Sequence, residues 1–316
     1  MSEVPIIDLK GGQNLSDDAY RSIAGQVNEA LERVGFFVIT NFGMAPGLIT
    51  ETQAVAYKYF DLPQEQKLKD KHSGSGRTRG YLSRGSVALA STYNKGKTPP
   101  DLQESYTARP DEAGVFARWP DEPSDFQPIV QKYYKAVESI GWTLLRVLAE
   151  ALRIDREYFV ERYVGHQSAL QLIHYPQQEV APLPGQLRSG VHADYGGITI
   201  LAVQKDAPGG LQVRLKSGEW VGVVAPADSL IINIGDLMMR WTNDIWLSNL
   251  HRVVNPPSEL AAKSRRLSLV FFFNPNSNVV LECIPTCVRP GAKPLYGPVT
   301  VEDYLVSKIR QSAPAA

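Results

Sequence analysis

Cysteine is scarce in this 316-residue chain: only Cys283 and Cys287 occur. A single Cys-x-x-x-Cys pair with no second pair downstream makes a poor zinc site, and two thiols are too few for a disulfide framework. The reading that remains is two reduced thiols in a cytosolic protein. Net charge is missing too, since 33 Lys and Arg balance 33 Asp and Glu. A polyanion such as DNA usually demands a basic surface, so a small molecule is the expected partner and nucleic acid is not. No stretch approaches the roughly 20 apolar residues of a membrane helix. The opening Met1-Ser2-Glu3-Val4-Pro5 lacks the basic start and apolar run of a secretory leader. These absences point to a cytoplasmic protein away from the membrane, with an ordinary apolar fraction of 43% from which to build a core.

Ser16 can cap a helix over 17–34, on which Ile23, Val27, Leu31 and Val34 recur on one face, and Gly35 stops it. The run Phe36–Thr40 reads as a buried strand. A second helix precedes Leu62-Pro63, and a third covers about 125–152 with Ile129, Tyr133, Val137, Ile140, Leu144 and Leu148 as its stripe. Between them, 72–122 reads as one long irregular segment rich in Gly, Ser, Arg and Pro. Segments of that length are usually lids or disordered, and a lid is favoured. Its Gly74, Gly76 and Gly80 do not make a phosphate loop, because no strand precedes them and no Lys-Ser/Thr follows.

From 168 onward the character changes to short strand-like runs separated by turns: 168–174, 197–204, 210–215, 219–224, 229–234, 249–254, 266–273 and 279–282. A last helix begins at Thr300, with Asp303 placed for capping and Val301, Leu305 and Ile309 on its apolar side. The expected fold is mainly β with a helical N-terminal layer, a double-sheet jelly roll forming one domain over 1–316. Within it, 1–165 supply helical support and lid, 166–290 the jelly-roll core and 291–316 the C-terminal helix.

His192-Ala193-Asp194 carries the chemistry. In extended backbone, residues i and i+2 project from the same face, so one imidazole and one carboxylate can grip a single ion. His251 lies on a later strand that can cross nearby. Two histidines and a carboxylate with open positions suit a non-haem iron(II) oxygenase, and the same set can hold zinc for hydrolysis. The second signal is Arg266-Leu267-Ser268 at the start of an apolar strand. Strand parity puts Arg266, Ser268, Val270 and Phe272 on one face. Turning that face to water would expose Val270 and Phe272, so it is expected to line a pocket. A buried guanidinium there needs an anion, and a ligand carboxylate held by Arg266 and Ser268 supplies one.

In this combination the chain resembles the iron(II)- and 2-oxoglutarate-dependent dioxygenases of the isopenicillin-N-synthase-like branch. Val4–Leu9, Gly35-Phe36-Phe37 and Phe60–Pro63 match that branch's N-terminal region. Gly209–Val213 and Asn233–Asp236 match its barrel, and the His-x-Asp, distant His and Arg-x-Ser follow the family's order. The stretches Trp241–Asp244 and around His192 are similar to thymine dioxygenase. The resemblance implies iron ligands at His192, Asp194 and His251, and binding of the C5 carboxylate of 2-oxoglutarate by Arg266 and Ser268 with a further hydrogen bond from Tyr175. It also implies a substrate-cavity aromatic at Phe272. Ile173-His174-Tyr175-Pro176 departs from the family's frequent Asn-Tyr-Tyr-Pro, which makes His174 either a substrate contact or a packing residue.

The implied activity is oxidation of a small organic substrate by hydroxylation, desaturation or ring formation, with dioxygen consumed and succinate and carbon dioxide released. Natural-product (secondary) metabolism is the setting suggested by analogy. The alternatives are an iron oxidase that uses no 2-oxoglutarate, a zinc hydrolase and a non-catalytic metal-binding jelly roll. Arg77, Arg79, Arg84, Lys95 and Lys97 in the expected lid either attract an anionic substrate or are simply solvated, the commoner case.

Overall fold

The computed structural model describes residues 3–12, 15–71, 79–92, 98–110, 119–166, 168–204 and 210–312. Its first elements are β1 (Ile6–Asp8), α1 (Asp17–Arg33), β2 (Phe36–Thr40), α2 (Leu48–Phe60) and α3 (Gln64–Lys69). The Ser16 hydroxyl accepts from the Ala19 amide at 3.2 Å, satisfying one of the free donors at the start of α1. Ile23, Val27, Leu31 and Val34 are all fully buried. Gly35 follows with φ +75°, and a Cβ there would meet the Leu247 carbonyl oxygen at 2.1 Å, so both conformation and space call for glycine.

Then come β3 (Gly80–Leu82), β4 (Glu104–Ala108), the long α4 (Phe126–Ala151) and α5 (Tyr158–Tyr163). The second half holds β5 (Ala169–Tyr175), β6 (Ser189–His192), β7 (Ile198–Val203), β8 (Leu211–Arg214), β9 (Trp220–Gly222), β10 (Leu230–Ile234), α6 (Asp236–Trp241), β11 (His251–Val253) and β12 (Arg266–Phe273). The short pair β13 (Val280–Leu281) and β14 (Val299–Thr300) precedes α7 (Val301–Ser312). The Thr300 hydroxyl accepts from the Asp303 amide at 3.0 Å, as the capping pattern predicts. The side chain of Ile309 lies outside the described residues.

Two sheets build the jelly roll. The larger has the order β1-β2-β10-β7-β12-β5-β4-β3 and the smaller β6-β11-β8-β9. The larger sheet has apolar residues on both faces. Leu267, Leu269, Phe271 and Phe273 of β12 face outward with Leu170 and Leu172 into a core shared with α1, α2 and α4. On the other face Phe36, Val38, Tyr175 and Ile231 meet Leu211, Val213 and Val253 of the smaller sheet. The space between the sheets is therefore an apolar layer into which a few polar side chains project.

One expectation needs correction. Residues 72–122 are not irregular throughout: β4 is buried along its whole length, pairs with β5 over five positions, and carries β3 on its outer edge. Glu104-Ser105-Tyr106-Thr107-Ala108 shows no apolar alternation because its burial is compensated by ion pairing and hydrogen bonding, which periodicity does not register. The first 165 residues supply β1, β2, β3 and β4 to the larger sheet, β2 being the strand expected over Phe36–Thr40. Gly74, Gly76, Arg77, Lys95 and Lys97 lie outside the described residues.

Candidate active site

His192 and His251 are direct cross-strand partners in the smaller sheet, with ring centroids 4.2 Å apart. Each ring's Nδ1 sits against a backbone carbonyl two residues earlier in the chain, Gly190 at 2.8 Å for His192 and Asn249 at 3.1 Å for His251. A carbonyl can only accept, so Nδ1 carries the proton and Nε2 presents its lone pair. Both Nε2 atoms point at Asp194 Oδ1, at 3.9 and 3.7 Å. Phe36 packs edge-on against His251 with centroids 5.4 Å apart, fixing its plane.

Asp194 reaches this point from the turn after β6. Its Oδ2 accepts from Thr199 Oγ1 at 2.6 Å and Asn233 Nδ2 at 2.7 Å, leaving Oδ1 turned to the histidines. The backbone of the turn is held by the Asp236 and Leu237 amides, which donate to the Asp194 and Tyr195 carbonyls at 2.7 and 3.2 Å. Gly235 makes this close approach possible, since a Cβ there would lie 2.5 Å from the Gly196 oxygen and 2.7 Å from the Asp194 oxygen.

Burial, reinforced by the neighbouring His251, holds the His192 imidazole well below the usual histidine range, so it stays neutral. Burial alone would raise Asp194, but the two histidines and the Thr199 and Asn233 hydrogen bonds outweigh it and keep the carboxyl ionised. Two imidazoles and one carboxylate thus offer one atom each, all within 4.8 Å of one another. The oriented Nδ1–H groups are the outer support a metal-binding histidine needs. This donor set fits iron(II) and leaves coordination positions open.

The anion pocket lies on the inner face of the larger sheet. Arg266 and Tyr175 are cross-strand partners, and Ser268 pairs with Ile173 two positions along, so all three share the face predicted by parity. Arg266 is 3% exposed; its Nη2 lies 3.4 Å from Ser268 Oγ, and its Nε has no partner. Burial pulls its pKa down and, among the described residues, no carboxylate pairs with it. Burial pushes the Tyr175 phenol up to about 12, so it stays a hydrogen-bond donor. Phe272, half-buried, pairs with Thr199 of β7, the residue that bonds Asp194. Ile173, on the same face as Tyr175, packs against the apolar cluster between the sheets.

The structure does not bring His174 to this face. It pairs with Leu267 on the outer side of the sheet, stacked on Phe60. Its Nδ1 donates to Glu104 at 2.8 Å and its Nε2 accepts from Arg265 Nε at 2.9 Å, which requires a neutral ring. Lys67, 5% exposed, completes the cluster by donating to Glu104 at 2.9 Å. Arg84 lines the same outer cleft, and Arg79 donates to the Pro110 carbonyl, so neither is assigned to the site between the sheets.

This cluster has a pH signature. Burial lowers His174. Burial alone would raise Glu104, but its hydrogen bonds to His174, Tyr81 and Lys67 overcome this and bring it from 4.5 down to about 2. Both folded-state values lie below the unfolded ones, so both contributions are present at neutral pH. The His174 part is lost as pH falls below 6.5, and the Glu104 part between about 4.5 and 2. Glu104→Gln strands the Lys67 ammonium and is expected to cost about 3–5 kcal/mol. Urea melts at pH 7 and pH 3, well inside the Glu104 window, check this: the variant's deficit should shrink in acid, and an equal deficit at both would rule out the charge as its origin.

Thr199, Asn233 and Gly235 are site residues that the motif reading did not single out. Thr199 and Asn233 reach Asp194 only through the register of β7 against β10, where they are cross-strand partners. The sole signal in the sequence was the run Asn233-Ile234-Gly235-Asp236.

Comparison with known proteins agrees with this geometry. Residues 4–128 match the family described as "non-haem dioxygenase in morphine synthesis N-terminal", and residues 166–275 match the 2OG-Fe(II) oxygenase superfamily. A 2-oxoglutarate-Fe(II) type oxidoreductase of Emericella nidulans is 32% identical, covering 98% of this chain and 90% of its own. Jasmonate-induced oxygenase 3 of Arabidopsis thaliana is 31% identical, with 95% and 80% covered. The crystal structure of the full-length thymine hydroxylase of Neurospora crassa with alpha-KG superposes with a TM-score of 0.87 at 29% identity, over 98% of this chain and 96% of that one. The chain belongs to the 2-oxoglutarate- and iron(II)-dependent oxygenases.

Proposed function

We propose that His192, Asp194 and His251 are the iron ligands and that Arg266, Ser268 and Tyr175 bind the distal carboxylate of 2-oxoglutarate. Phe272 lines the cavity of a small organic substrate, which is hydroxylated, desaturated or cyclised. One observation carries the reading: three converging ligand atoms share the space between the sheets with a buried guanidinium whose Nε has no partner. When bound, iron(II) with 2-oxoglutarate and dioxygen supplies an oxidant able to break a substrate C–H bond, with loss of succinate and carbon dioxide. The chain's own residues do the placing. Asn233 and Thr199 keep the Asp194 oxygen aimed, the Gly190 and Asn249 carbonyls hold the histidine tautomers, and the apolar layer between the sheets excludes water.

A role in natural-product metabolism is supported by the N-terminal family description, which names morphine synthesis. The Neurospora crassa thymine hydroxylase was also crystallised with thymine, and other relatives are named for jasmonate or homoarginine, so small metabolites of varied shape are the class to test. Residues 87–92 and 98–103 serve as a lid over the ligand strand: Asp101 binds both the Leu89 and Gly190 amides, at 3.1 and 2.9 Å, tying them to β6. The cytosol is the compartment in which the free thiols of Cys283 and Cys287 persist. Screening candidate metabolites for stimulated 2-oxoglutarate consumption tests the assignment, and the absence of stimulation across nucleobases, amino acids and plant hormones would weigh against this class of substrate.

Phe272→Ala is the variant that tests the cavity. A reacting atom displaced by about 1 Å can lose on the order of a hundredfold in rate, while co-substrate decarboxylation depends less on that placement. Succinate should still form and product per succinate should fall. Phe272 belongs to neither apolar core, so the loss of stability should stay below the roughly 3–5 kcal/mol of a core Phe→Ala change. A large drop in melting temperature with an unchanged product ratio would assign Phe272 to packing.

A further inference from the structure

A second arginine shares the anion pocket. Arg188 immediately precedes β6, four residues before His192, and its amide donates to the Val253 carbonyl at 3.1 Å. β6 shifts register against β11 between Ser189 and His192, so the placement of Arg188 is read from its contacts. It is only 2% exposed. Its Nη2 donates to the Ser264 carbonyl at 2.6 Å and, more weakly, to the Pro176 carbonyl at 3.3 Å. Ser264 stands two residues before Arg266, and Pro176 directly follows Tyr175. Arg188 thus ties together the ends of the two strands that carry the pocket.

The two guanidiniums flank the same ring. Arg188 lies 5.9 Å from the Tyr175 centroid and Arg266 5.3 Å. Burial, followed by repulsion from Arg266, lowers Arg188 to about 10. Among the described residues, no carboxylate makes an ion pair with either arginine. The nearby acid, Asp101, is taken up by the Leu89 and Gly190 amides and is itself pushed to about 6 by burial. Two positive charges in a dry interior without an anion are costly, and carbonyl hydrogen bonds solvate such charges without neutralising them.

We propose that Arg188 is the second cation of this pocket, a positioning residue that makes it select 2-oxo acids bearing a distal carboxylate over those without one. This rests on the reading that Arg266 anchors 2-oxoglutarate. Arg266 supplies the direct fork. Arg188 fixes the separation of β5 and β12 at that point and adds a charge that only a carboxylate ligand offsets.

The test is calorimetric binding of 2-oxoglutarate and of 2-oxobutyrate, which lacks the distal carboxylate, to anaerobic Mn(II)-loaded protein. Arg188→Gln is expected to lower the preference for 2-oxoglutarate by about tenfold or more, the scale of one charge-assisted contact, with 2-oxobutyrate binding and Mn(II) occupancy unchanged. Arg188→Lys, which keeps the charge but not the planar fork, should fall between and serves if the Gln variant does not fold. A preference equal to wild type in Arg188→Gln, or in Arg188→Lys when that variant alone folds, overturns the proposal, as does equal weakening of both ligands. Arg266→Leu measured alongside separates the two claims. If it keeps the wild-type preference, the anchoring role of Arg266 fails. If it loses the preference while Arg188→Gln keeps it, only the role of Arg188 fails.

Discussion

Asp194→Ala is expected to bring iron occupancy and turnover to background while the far-ultraviolet circular dichroism stays close to wild type. Asp194 is the point on which both Nε2 atoms converge, so its removal leaves two imidazoles in place of a three-donor set. Loss of a supporting residue outside the metal's own ligands already costs about 10–100-fold in affinity or activity, and loss of a ligand costs more. The fold should survive because the main core lies on the other side of the larger sheet. Stability should still drop, since Thr199 and Asn233 lose their shared acceptor at about 1–3 kcal/mol for each stranded group. His251→Ala should lose iron in the same way. Iron per chain, turnover and circular dichroism decide, and full activity in either variant would remove these residues from the metal centre.

Arg266→Leu should be nearly as damaging, through a different quantity. Iron binding should persist, because Arg266 touches none of the three ligands, while the KM for 2-oxoglutarate rises steeply. Losing a buried charged contact costs about 2–5 kcal/mol, roughly 30-fold to several thousandfold in affinity. Arg266→Lys should recover only part, as a point charge cannot reproduce the planar fork. Titrating activity against 2-oxoglutarate at saturating iron measures this directly. An unchanged KM in both variants would make Arg266 a structural residue.

The residues that could be read from sequence were those whose placement depends on local periodicity. Strand parity alone put Arg266, Ser268 and Phe272 on one face of β12, and the register against β5 and β7 agrees. The Ser16 cap and the buried stripe of α1 were equally local. Parity also held a warning about His174. Neighbours in a strand point to opposite faces, so a Tyr175 turned to the pocket leaves His174 facing the helices. What stayed hidden depended on tertiary register or charge compensation. Thr199 and Asn233 meet Asp194 because β7 and β10 pair, and β4 is buried because Glu104 finds Lys67, Tyr81 and His174. Arg188 carries no local signal in the sequence, and its burial depends on the Ser264 and Pro176 carbonyls reached from elsewhere in the chain.

The most direct test of the central claim is an anaerobic titration of the iron(II)-loaded protein with 2-oxoglutarate, followed by visible absorption. Wild type should develop the weak charge-transfer band of chelated 2-oxoglutarate and saturate with one equivalent per chain. Asp194→Ala should develop none, and Arg266→Leu should reach the same band only at much higher co-substrate. Absence of the band from wild type, or an equal band from Asp194→Ala, would contradict the assignment of His192, Asp194 and His251 as the site of iron and co-substrate.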